Sequence, residues 1–316
     1  MMIVPSPQQL RYLLALAEYR HFGRAAAGCS VTQSTLSAGI LALERQLDAP
    51  LLDRGVGKRV VFTPLGDEVV RRARTALSSL EAISYLVQAS REPMTGPMRL
   101  GVIPTIGPFV VSQLISTVKQ WFPQISLVIT EDLTARLLEK LASGRLDVVL
   151  FAVPYHCEGV ETAPLWRDPL LLGVPGGHPL AALPEVPLSR VEEEKMVLMQ
   201  DGHCLRDQTI DICRQGRNWG EGELEDANTA SSLYTLTRMI DAGLGVGLLP
   251  ELAVDAGILE RSHVVARPVT GGPAWRTIAL GWRTGSPRTE DFDMLTKTLR
   301  RLAPEGRGSI TSEEGL

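Results

Sequence analysis

Two cysteines nine positions apart, Cys204 and Cys213, lie in the segment DGHCLRDQTIDIC at residues 201–213. A thiolate attacks a peroxide and becomes a sulfenic acid, which condenses with a second thiol to form a disulfide. Cys204 is the candidate for the first step, because His203 and Arg206 are close neighbours in sequence and a positive charge favours the thiolate. Cys213 is then the candidate resolving thiol.

This spacing would make disulfide formation a conformational event. Nine residues on an intact α-helix separate two Cα atoms by about 13 Å, whereas a disulfide needs a separation below roughly 7 Å. If the segment is helical when the thiols are reduced, the helix must unwind before the bond can form. Oxidation would therefore refold the segment, as a switch requires. The alternative is that both cysteines are inert residues of a hydrophobic core.

The composition is that of an ordinary globular protein, with 316 residues of which 44% are hydrophobic and 22% charged. This length is enough for two or three domains. We expect a cytoplasmic protein, since the N-terminus lacks a secretory signal and prolines and glycines interrupt the uncharged stretch at 101–118. In a reducing compartment four cysteines do not indicate a disulfide framework.

Charge is unevenly distributed along the chain, whose net charge is −4. Residues 1–92 hold 11 Lys and Arg against 8 Asp and Glu, a net of +3, so the remaining residues carry −7. A mildly basic head on an acidic body is compatible with a DNA-binding domain joined to a domain of another kind.

The basic head has the pattern of a helix-turn-helix. An amphipathic helix over residues 8–20 is followed by a short Ala-rich helix over 22–29 and by a second helix that Thr32 would cap. The N-terminal end of a recognition helix contacts base edges and phosphates in the major groove. The alternative is an ordinary exposed polar turn. The polar residues in question are Thr32, Gln33, Ser34, Thr35 and Ser37.

A wing and a long helix follow the second helix. Residues 51–63 predict two short strands with Arg54, Lys58 and Arg59 at their tip, suited to the phosphate backbone. A helix is then expected from Thr63 to about Arg91, with an apolar heptad seam that favours pairing with a second copy of the chain. Packing against its own domain is the alternative. The seam residues are Val69, Ala73, Ala76, Leu80, Ile83 and Val87.

Residues 8–66 resemble the winged helix-turn-helix of the LysR-type transcription regulators. Ser34 stands where that family usually has proline, which should alter the first turn of the recognition helix and leave the fold unchanged. The resemblance implies that the linker helices pair subunits into a homodimer or homotetramer. The matching segments are FGRAA (22–26), TQSTLS (32–37), LE (43–44), LLDR (51–54) and TPLG (63–66).

After a break at residues 93–97, alternating strand and helix patterns predict an α/β body with a parallel sheet and right-handed crossovers. The body resembles the two-lobed, periplasmic-binding-protein-like effector domain of LysR regulators, in which ligands bind in the cleft. We therefore expect four parts in the chain. They are a winged helix-turn-helix DNA-binding domain over 1–66, a linker and dimerisation helix over 63–92, a redox-sensing regulatory domain over 93–303 and a flexible tail over 304–316.

The two-cysteine segment is similar to the redox segment of the hydrogen-peroxide-responsive members of the LysR family. The segments at 101–108 and 275–287 extend this similarity over nearly the whole chain. It implies that Cys204 is the peroxidatic residue and Cys213 the resolving one.

The same resemblance implies a peroxide-binding pocket. Thr105 and Thr134 would hold the peroxide oxygens, while Arg276 would stabilise the thiolate or the leaving hydroxide. His203 and Asp207 would complete the polar pocket. The alternatives are that the two threonines cap helices and that Asp207 pairs with Arg206.

We therefore expect a transcription regulator, and no enzyme, that activates antioxidant genes when Cys204 is oxidised. The partners implied are double-stranded promoter DNA, hydrogen peroxide as the signal, further copies of the chain, RNA polymerase and a cellular dithiol reductant, with no cofactor, metal or membrane. One alternative is a LysR regulator controlled by a metabolite. A thiol peroxidase would leave the DNA-binding head unexplained, and a transport binding protein would need a secretion signal.

Three other features carry no function in this interpretation. The His-Cys pairs at 156–157 and 203–204 lack the spacing of a chelating motif. The segment GLGVG at 243–247 is short of a dinucleotide fingerprint and predicts a turn. Cys29 lies inside the helix-turn-helix and is expected in its core.

Overall fold

The computed structural model describes residues 4–53, 60–89, 92–155, 157–214 and 227–303. The chain divides into two compact units, Met1–Arg91 with Ala142–Gly144 and Glu92–Leu141 with Arg145–Leu316. Over the described ranges no single helix is long and apolar enough to cross a membrane, although the bent pair Phe22–Gly28 and Gln33–Leu47 meets those criteria jointly.

The N-terminal unit has the predicted helix-turn-helix. Its apolar stripes meet in one core, in which Leu13, Leu36 and Ile40 are at most 1% exposed. Cys29 packs at the edge of this core, as expected. The elements are α1 (Pro7–Tyr19), α2 (Phe22–Gly28), α3 (Gln33–Leu47), β1 (Leu52–Asp53), β2 (Val61–Phe62) and α4 (Pro64–Ala89).

Two residues of the matching segments explain how the wing is attached. Glu44 is buried, and its Oε1 accepts hydrogen bonds from the backbone N–H groups of Leu51 and Leu52 at 2.8 and 3.1 Å. A Cβ added to Gly66 would lie 2.1 Å from the Leu51 carbonyl oxygen, so only glycine permits this approach. β1 and β2 pair antiparallel, as predicted for the wing.

The seam of α4 divides into two parts. Ala73 is 3% exposed in the core of its own unit, and Val69 packs against that core. For this first part of the seam, the alternative of packing against its own domain is therefore correct. Further along the helix Leu80 and Ile83 are 43% and 61% exposed. The side chain of Val87 lies outside the described part of the chain.

The larger unit is built on a mixed sheet with the strand order β10-β6-β13-β5-β3-β4, and β11 also pairs with β6. The strands of this sheet are β3 (Gly96–Val102), β4 (Ile125–Glu131), β5 (Val148–Val153), β6 (Val160–Val174), β10 (Gly247–Pro250), β11 (Val265–Arg267) and β13 (Trp275–Arg283). The remaining strands are β7 (Val186–Pro187), β8 (Val197–Met199), β9 (Asn228–Ala230) and β12 (Val269–Thr270), and they form two parallel pairs, β7 with β12 and β8 with β9.

The helices of this unit cover and connect the strands. Two of them follow β3 and β4, in the alternation of strand and helix that the sequence predicts. The described helices are α5 (Gly107–Trp121), α6 (Thr134–Ala142), α7 (Leu188–Val191), α8 (Cys204–Arg214), α9 (Leu233–Asp241), α10 (Glu251–Asp255) and α11 (Thr289–Leu299).

The prediction of a parallel sheet is correct for the first three strands and wrong for the closing one. β3 pairs parallel with β4 and with β5, as the strand-helix alternation requires. β13 instead lies antiparallel between β5 and β6. The chain reaches β13 after it has built a second core, so no single crossover helix fixes its direction.

Two hydrophobic cores define two lobes within this unit. The first core contains β3, β5 and β13 residues such as Leu100, Phe151 and Ile278. The second contains residues of the segments around α9 and β10, such as Ile240 and Leu249. The long strand β6 contributes to both cores.

Candidate redox site and DNA-binding surface

The two-cysteine segment is helical, and both of its thiols are free. Cys204 is the first residue of α8 and Cys213 the last but one. They are 3% and 2% exposed. Because the helix is intact between them, their Cα atoms are separated by about 13 Å, and a disulfide requires α8 to unwind.

The two cysteines belong to different cores. Cys204 is part of the first core, whereas Leu205, Ile212 and Cys213 are part of the second. Burial and the charge of Glu192 raise the pKa of the Cys213 thiol to about 12, so this thiol is protonated while the helix is folded. Unwinding α8 would remove Cys213 from the environment that keeps it unreactive.

The positive charge that acts on Cys204 comes from a distant part of the chain. Burial raises the pKa of the Cys204 thiol, while the charge of Arg276 and the hydroxyl of Thr134 lower it. Arg206, the neighbour in sequence, does not fill this role. Its Nε instead lies 2.8 Å from the Asp201 carboxylate, and its Nη1 donates to the Met199 carbonyl.

Arg276 is held by a buried network. Its side chain is fully buried with that of Asp168, and Nε and Nη2 lie 3.0 and 2.9 Å from the Asp168 carboxylate. Nη1 donates to the Thr105 hydroxyl at 2.8 Å, and Nη2 donates to the Thr105 carbonyl at 3.0 Å. Asp168 also accepts the backbone N–H of Leu252. Asp168 and Thr105 therefore hold the guanidinium in a fixed position.

The two predicted threonines are placed differently. The Thr105 hydroxyl accepts from Arg276, which leaves its proton available to another acceptor, and it caps no helix. Thr134 is the first residue of α6 and is 2% exposed. Its hydroxyl makes no conventional hydrogen bond to an N or O atom of the described residues, and it is close enough to Cys204 to lower the pKa of that thiol.

His203 and Asp207 flank Cys204 on the same segment. His203 is 7% exposed, and burial lowers its pKa, so the imidazole is uncharged at neutral pH. Asp207 is exposed as a whole residue, but its carboxyl group is partly buried. This burial and the charge of Asp211 raise the pKa of the carboxyl group. The alternative pairing of Asp207 with Arg206 is not formed, because Arg206 is bound to Asp201.

An open pocket of about 340 Å³ reaches the Cys204 side chain. Of the predicted site residues, Cys204 and Asp207 line it, whereas Thr105, Thr134, His203 and Arg276 are not among its lining residues. The lining residues are Pro154, Tyr155, Cys204, Asp207, Gln208 and Asp211.

Gln208 is a site residue that the sequence analysis missed. It is 8% exposed, and neither its amide nitrogen nor its amide oxygen has a hydrogen-bond partner within the described segments. It lies one helical turn after Cys204 and faces the same pocket. No pattern in the sequence identifies it, because its burial and its lack of a described partner become visible only in the folded chain.

The predicted DNA-contacting residues lie on the exposed start of α3. The Thr32 hydroxyl accepts the backbone N–H of Thr35 at 3.2 Å and so caps the helix, as predicted. Thr32, Gln33, Ser34 and Thr35 are exposed and Ser37 is half-buried. Arg54, Lys58 and Arg59 at the tip of the wing lie outside the described residues, as does His156.

Within the described ranges, no three His, Cys, Asp or Glu side chains are grouped so that they could bind a metal ion.

The fold and these sites agree with one family. Residues 7–67 match the model of the bacterial regulatory helix-turn-helix protein, lysR family, and residues 91–304 match that of the LysR substrate binding domain. The chain therefore belongs to the LysR family of transcription regulators. It is 39% identical over 294 residues to the DNA-binding transcriptional dual regulator OxyR of Escherichia coli, across 93% of this chain and 94% of that protein.

Other relatives and solved structures are similar over most of their length. The HTH-type transcriptional regulator EstR of Acinetobacter baylyi is 36% identical, across 96% of this chain and 98% of its own. A full-length OxyR cysteine-to-aspartate variant from Pseudomonas aeruginosa superposes with a TM-score of 0.77 at 33% identity, covering 94% of this chain and 95% of that chain. A hydrogen-peroxide-bound cysteine-to-serine OxyR variant from Corynebacterium glutamicum gives a TM-score of 0.66 at 31% identity, covering 95% and 93%.

Proposed function

We propose that this LysR-family protein is a hydrogen-peroxide-responsive regulator that activates antioxidant genes through a reversible Cys204–Cys213 disulfide. The observation that supports this most strongly is the placement of Cys204, a buried thiol at the start of α8 on which the charge of Arg276 acts and which lines a pocket together with Asp207 and Gln208. Relatives named hydrogen peroxide-inducible genes activator also support it.

The chemistry takes place in two balanced steps. The Cys204 thiolate attacks one peroxide oxygen, the O–O bond breaks, and the leaving hydroxide takes a proton and departs as water. The thiolate of Cys213 then attacks the Cys204 sulfenic acid, the S–O bond breaks and a second water leaves. A cellular dithiol supplies two electrons and two protons to restore both thiols.

The surrounding residues have distinct roles in this proposal. Arg276 stabilises the Cys204 thiolate and the charge that develops on the leaving oxygen. The hydroxyls of Thr105 and Thr134 and the amide of Gln208 hold the two peroxide oxygens, because each retains hydrogen-bonding capacity that no N or O atom of the described residues takes up. Neutral His203 and Asp207 complete the polar surroundings.

Oxidation is proposed to change how subunits are arranged on DNA. Unwinding α8 removes an element that contributes to both cores, and the lobes then repack. The exposed Leu80 and Ile83 of α4 are the proposed contact with a second copy of the chain, in a homodimer or homotetramer. The N-terminal unit binds promoter DNA in both redox states. The protein acts in the cytoplasm, and RNA polymerase is its proposed further partner.

A LysR regulator controlled by an organic metabolite is the second candidate. The similarity to EstR, whose name carries no reference to peroxide, favours it. Such a protein would need neither a buried Gln208 beside Cys204 whose amide bonds no described residue nor a second cysteine on α8.

The test is mass spectrometry of thiol-blocked peptides before and after a brief, near-stoichiometric peroxide pulse. The expected result is a Cys204–Cys213 crosslink that a dithiol removes, accompanied by a changed footprint on promoter DNA. If both thiols remain free while an exposed control cysteine is oxidised, the metabolite-controlled regulator becomes the better description.

Gln208→Leu is expected to change stability and reactivity in opposite directions. Leucine removes a buried amide with no described partner, so the free energy of unfolding should rise by about 1–2 kcal/mol. The rate of Cys204 oxidation should fall by about tenfold, because peroxide loses a positioning hydrogen bond. Urea unfolding and peroxide competition kinetics measure the two effects. If the variant is more stable but its Cys204 is oxidised at the wild-type rate, Gln208 has no role in peroxide binding.

A further inference from the structure

The solvent side of the Cys204 pocket carries two carboxyl groups that form no ion pair with a described residue, although the charge of Arg206 acts on Asp207. Asp207 and Asp211 lie on successive turns of α8, line the pocket and are exposed. Arg206, the basic residue between Cys204 and Asp207, is bound to Asp201 at 2.8 Å. None of the ion pairs of the described residues includes Asp207 or Asp211. A molecule entering this pocket therefore passes two negative charges.

The inner side of the pocket contains groups suited to a small uncharged ligand. Gln208 is more than nine-tenths buried, lines the pocket, and offers both a donor and an acceptor that no described residue uses. Arg276 is not among the lining residues of this pocket, and its charge is paired with Asp168 at 2.9 Å. An amide that both donates and accepts matches the O–H groups and lone pairs of a hydroperoxide.

Tyr155 lies close to the same negative charge. It is half-buried and lines the same pocket. Burial raises the pKa of its hydroxyl, and the negative charge of Asp207 raises it further.

We infer that the carboxylates of Asp207 and Asp211 make the pocket selective for uncharged peroxides and exclude anionic oxidants from Cys204. This inference rests on the proposed function and defines its substrate class more narrowly. A unit charge about 4 Å from another in water changes its local concentration by about fivefold, whereas a neutral molecule is unaffected. The effect on anions weakens as salt screens the carboxylates.

Hydrogen peroxide and peroxymonophosphate are suitable probes, because they differ in charge and share one reaction. In both, the Cys204 thiolate attacks a peroxide oxygen and the O–O bond breaks, giving the sulfenic acid. The leaving group departs as water from hydrogen peroxide and as phosphate from peroxymonophosphate. The ratio of the two rate constants, compared between the wild-type protein and a variant, therefore reports the charge of the pathway, because the intrinsic difference between the oxidants is the same in both proteins.

The experiment measures the second-order rate of Cys204 oxidation in the full-length reduced protein with each oxidant. Asp211→Asn removes one charge from a residue that has no part in the proposed chemistry. Asp293→Asn removes one exposed charge from α11 and is the matched control. We expect Asp211→Asn to raise the peroxymonophosphate rate by about threefold and to leave the hydrogen peroxide rate unchanged. Asp293→Asn should change neither rate.

Ionic strength supplies a second readout. Added salt should accelerate peroxymonophosphate in the wild-type protein more than in Asp211→Asn, and should leave hydrogen peroxide unaffected. An unchanged rate ratio in Asp211→Asn, or an equal change with both oxidants, would overturn the inference. Failure of hydrogen peroxide to oxidise Cys204 in the wild-type protein would instead overturn the proposed function.

Discussion

Replacing Arg276 with methionine is expected to lower the free energy of unfolding by about 3–5 kcal/mol. The side chains of Arg276 and Asp168 are both fully buried, and the guanidinium makes two contacts with the Asp168 carboxylate and two with Thr105. Methionine fills similar space but leaves the buried carboxylate without this counter-charge. Urea unfolding of the wild-type protein and the variant measures the difference.

The double variant Asp168→Asn, Arg276→Met is the control for this prediction. Asparagine removes the buried negative charge and can still accept the backbone N–H of Leu252, so part of the lost stability should return. Arg276→Lys keeps a positive charge and loses the two-pronged contact, and it should fall between the wild type and Arg276→Met. A loss below about 1 kcal/mol in Arg276→Met, typical of an exposed ion pair, would contradict the importance of burial.

Cys213→Ser is expected to separate oxidation of Cys204 from refolding of α8. The first step needs only Cys204 and its pocket, so a peroxide pulse should still form the sulfenic acid at nearly the wild-type rate. The disulfide cannot form, so the sulfenic acid should persist, and a second equivalent of peroxide should oxidise it to the sulfinic acid with release of water. Backbone amides of residues 204–214 should keep their protection from hydrogen exchange, whereas in the wild-type protein they should lose nearly all of it.

Cys204→Ser is the matched variant, because it removes the other thiol from the same helix. It should form neither sulfenic acid nor disulfide, and α8 should remain protected after the pulse. A dimedone probe, which labels sulfenic acids, distinguishes the two variants directly. Loss of protection in oxidised Cys213→Ser would show that sulfenic acid formation alone unwinds α8, and the crosslink would then be a consequence of refolding.

Local patterns in the sequence were sufficient to predict the N-terminal unit. The cap at Thr32, the apolar face through Leu36 and Ile40, and the paired strands of the wing are all set by residues near one another in the chain. The two cysteines of α8 are likewise found in one short segment, but only the structure establishes that this segment is helical.

What the sequence could not show depends on contacts between distant residues. Arg276 meets Thr105 and Asp168 only because β13 lies antiparallel to β6 in the folded sheet, and no local pattern encodes that direction. Arg206 is close to Cys204 in sequence, but its guanidinium forms an ion pair with Asp201. Gln208 could be recognised as a site residue only when its buried and unpartnered amide was seen beside a cavity.

The division of α8 between two cores has a consequence for the reduction potential of the switch. In the proposed mechanism the packing of Leu205, Ile212 and both cysteines exists only in the reduced state, so its free energy favours the dithiol. For a two-electron couple, each 1.4 kcal/mol or so of stabilisation of the reduced form raises the potential by about 30 mV. The apolar contacts of α8 thus raise the reduction potential of the Cys204–Cys213 couple. They make the disulfide easier for a cellular dithiol to reduce once peroxide is gone.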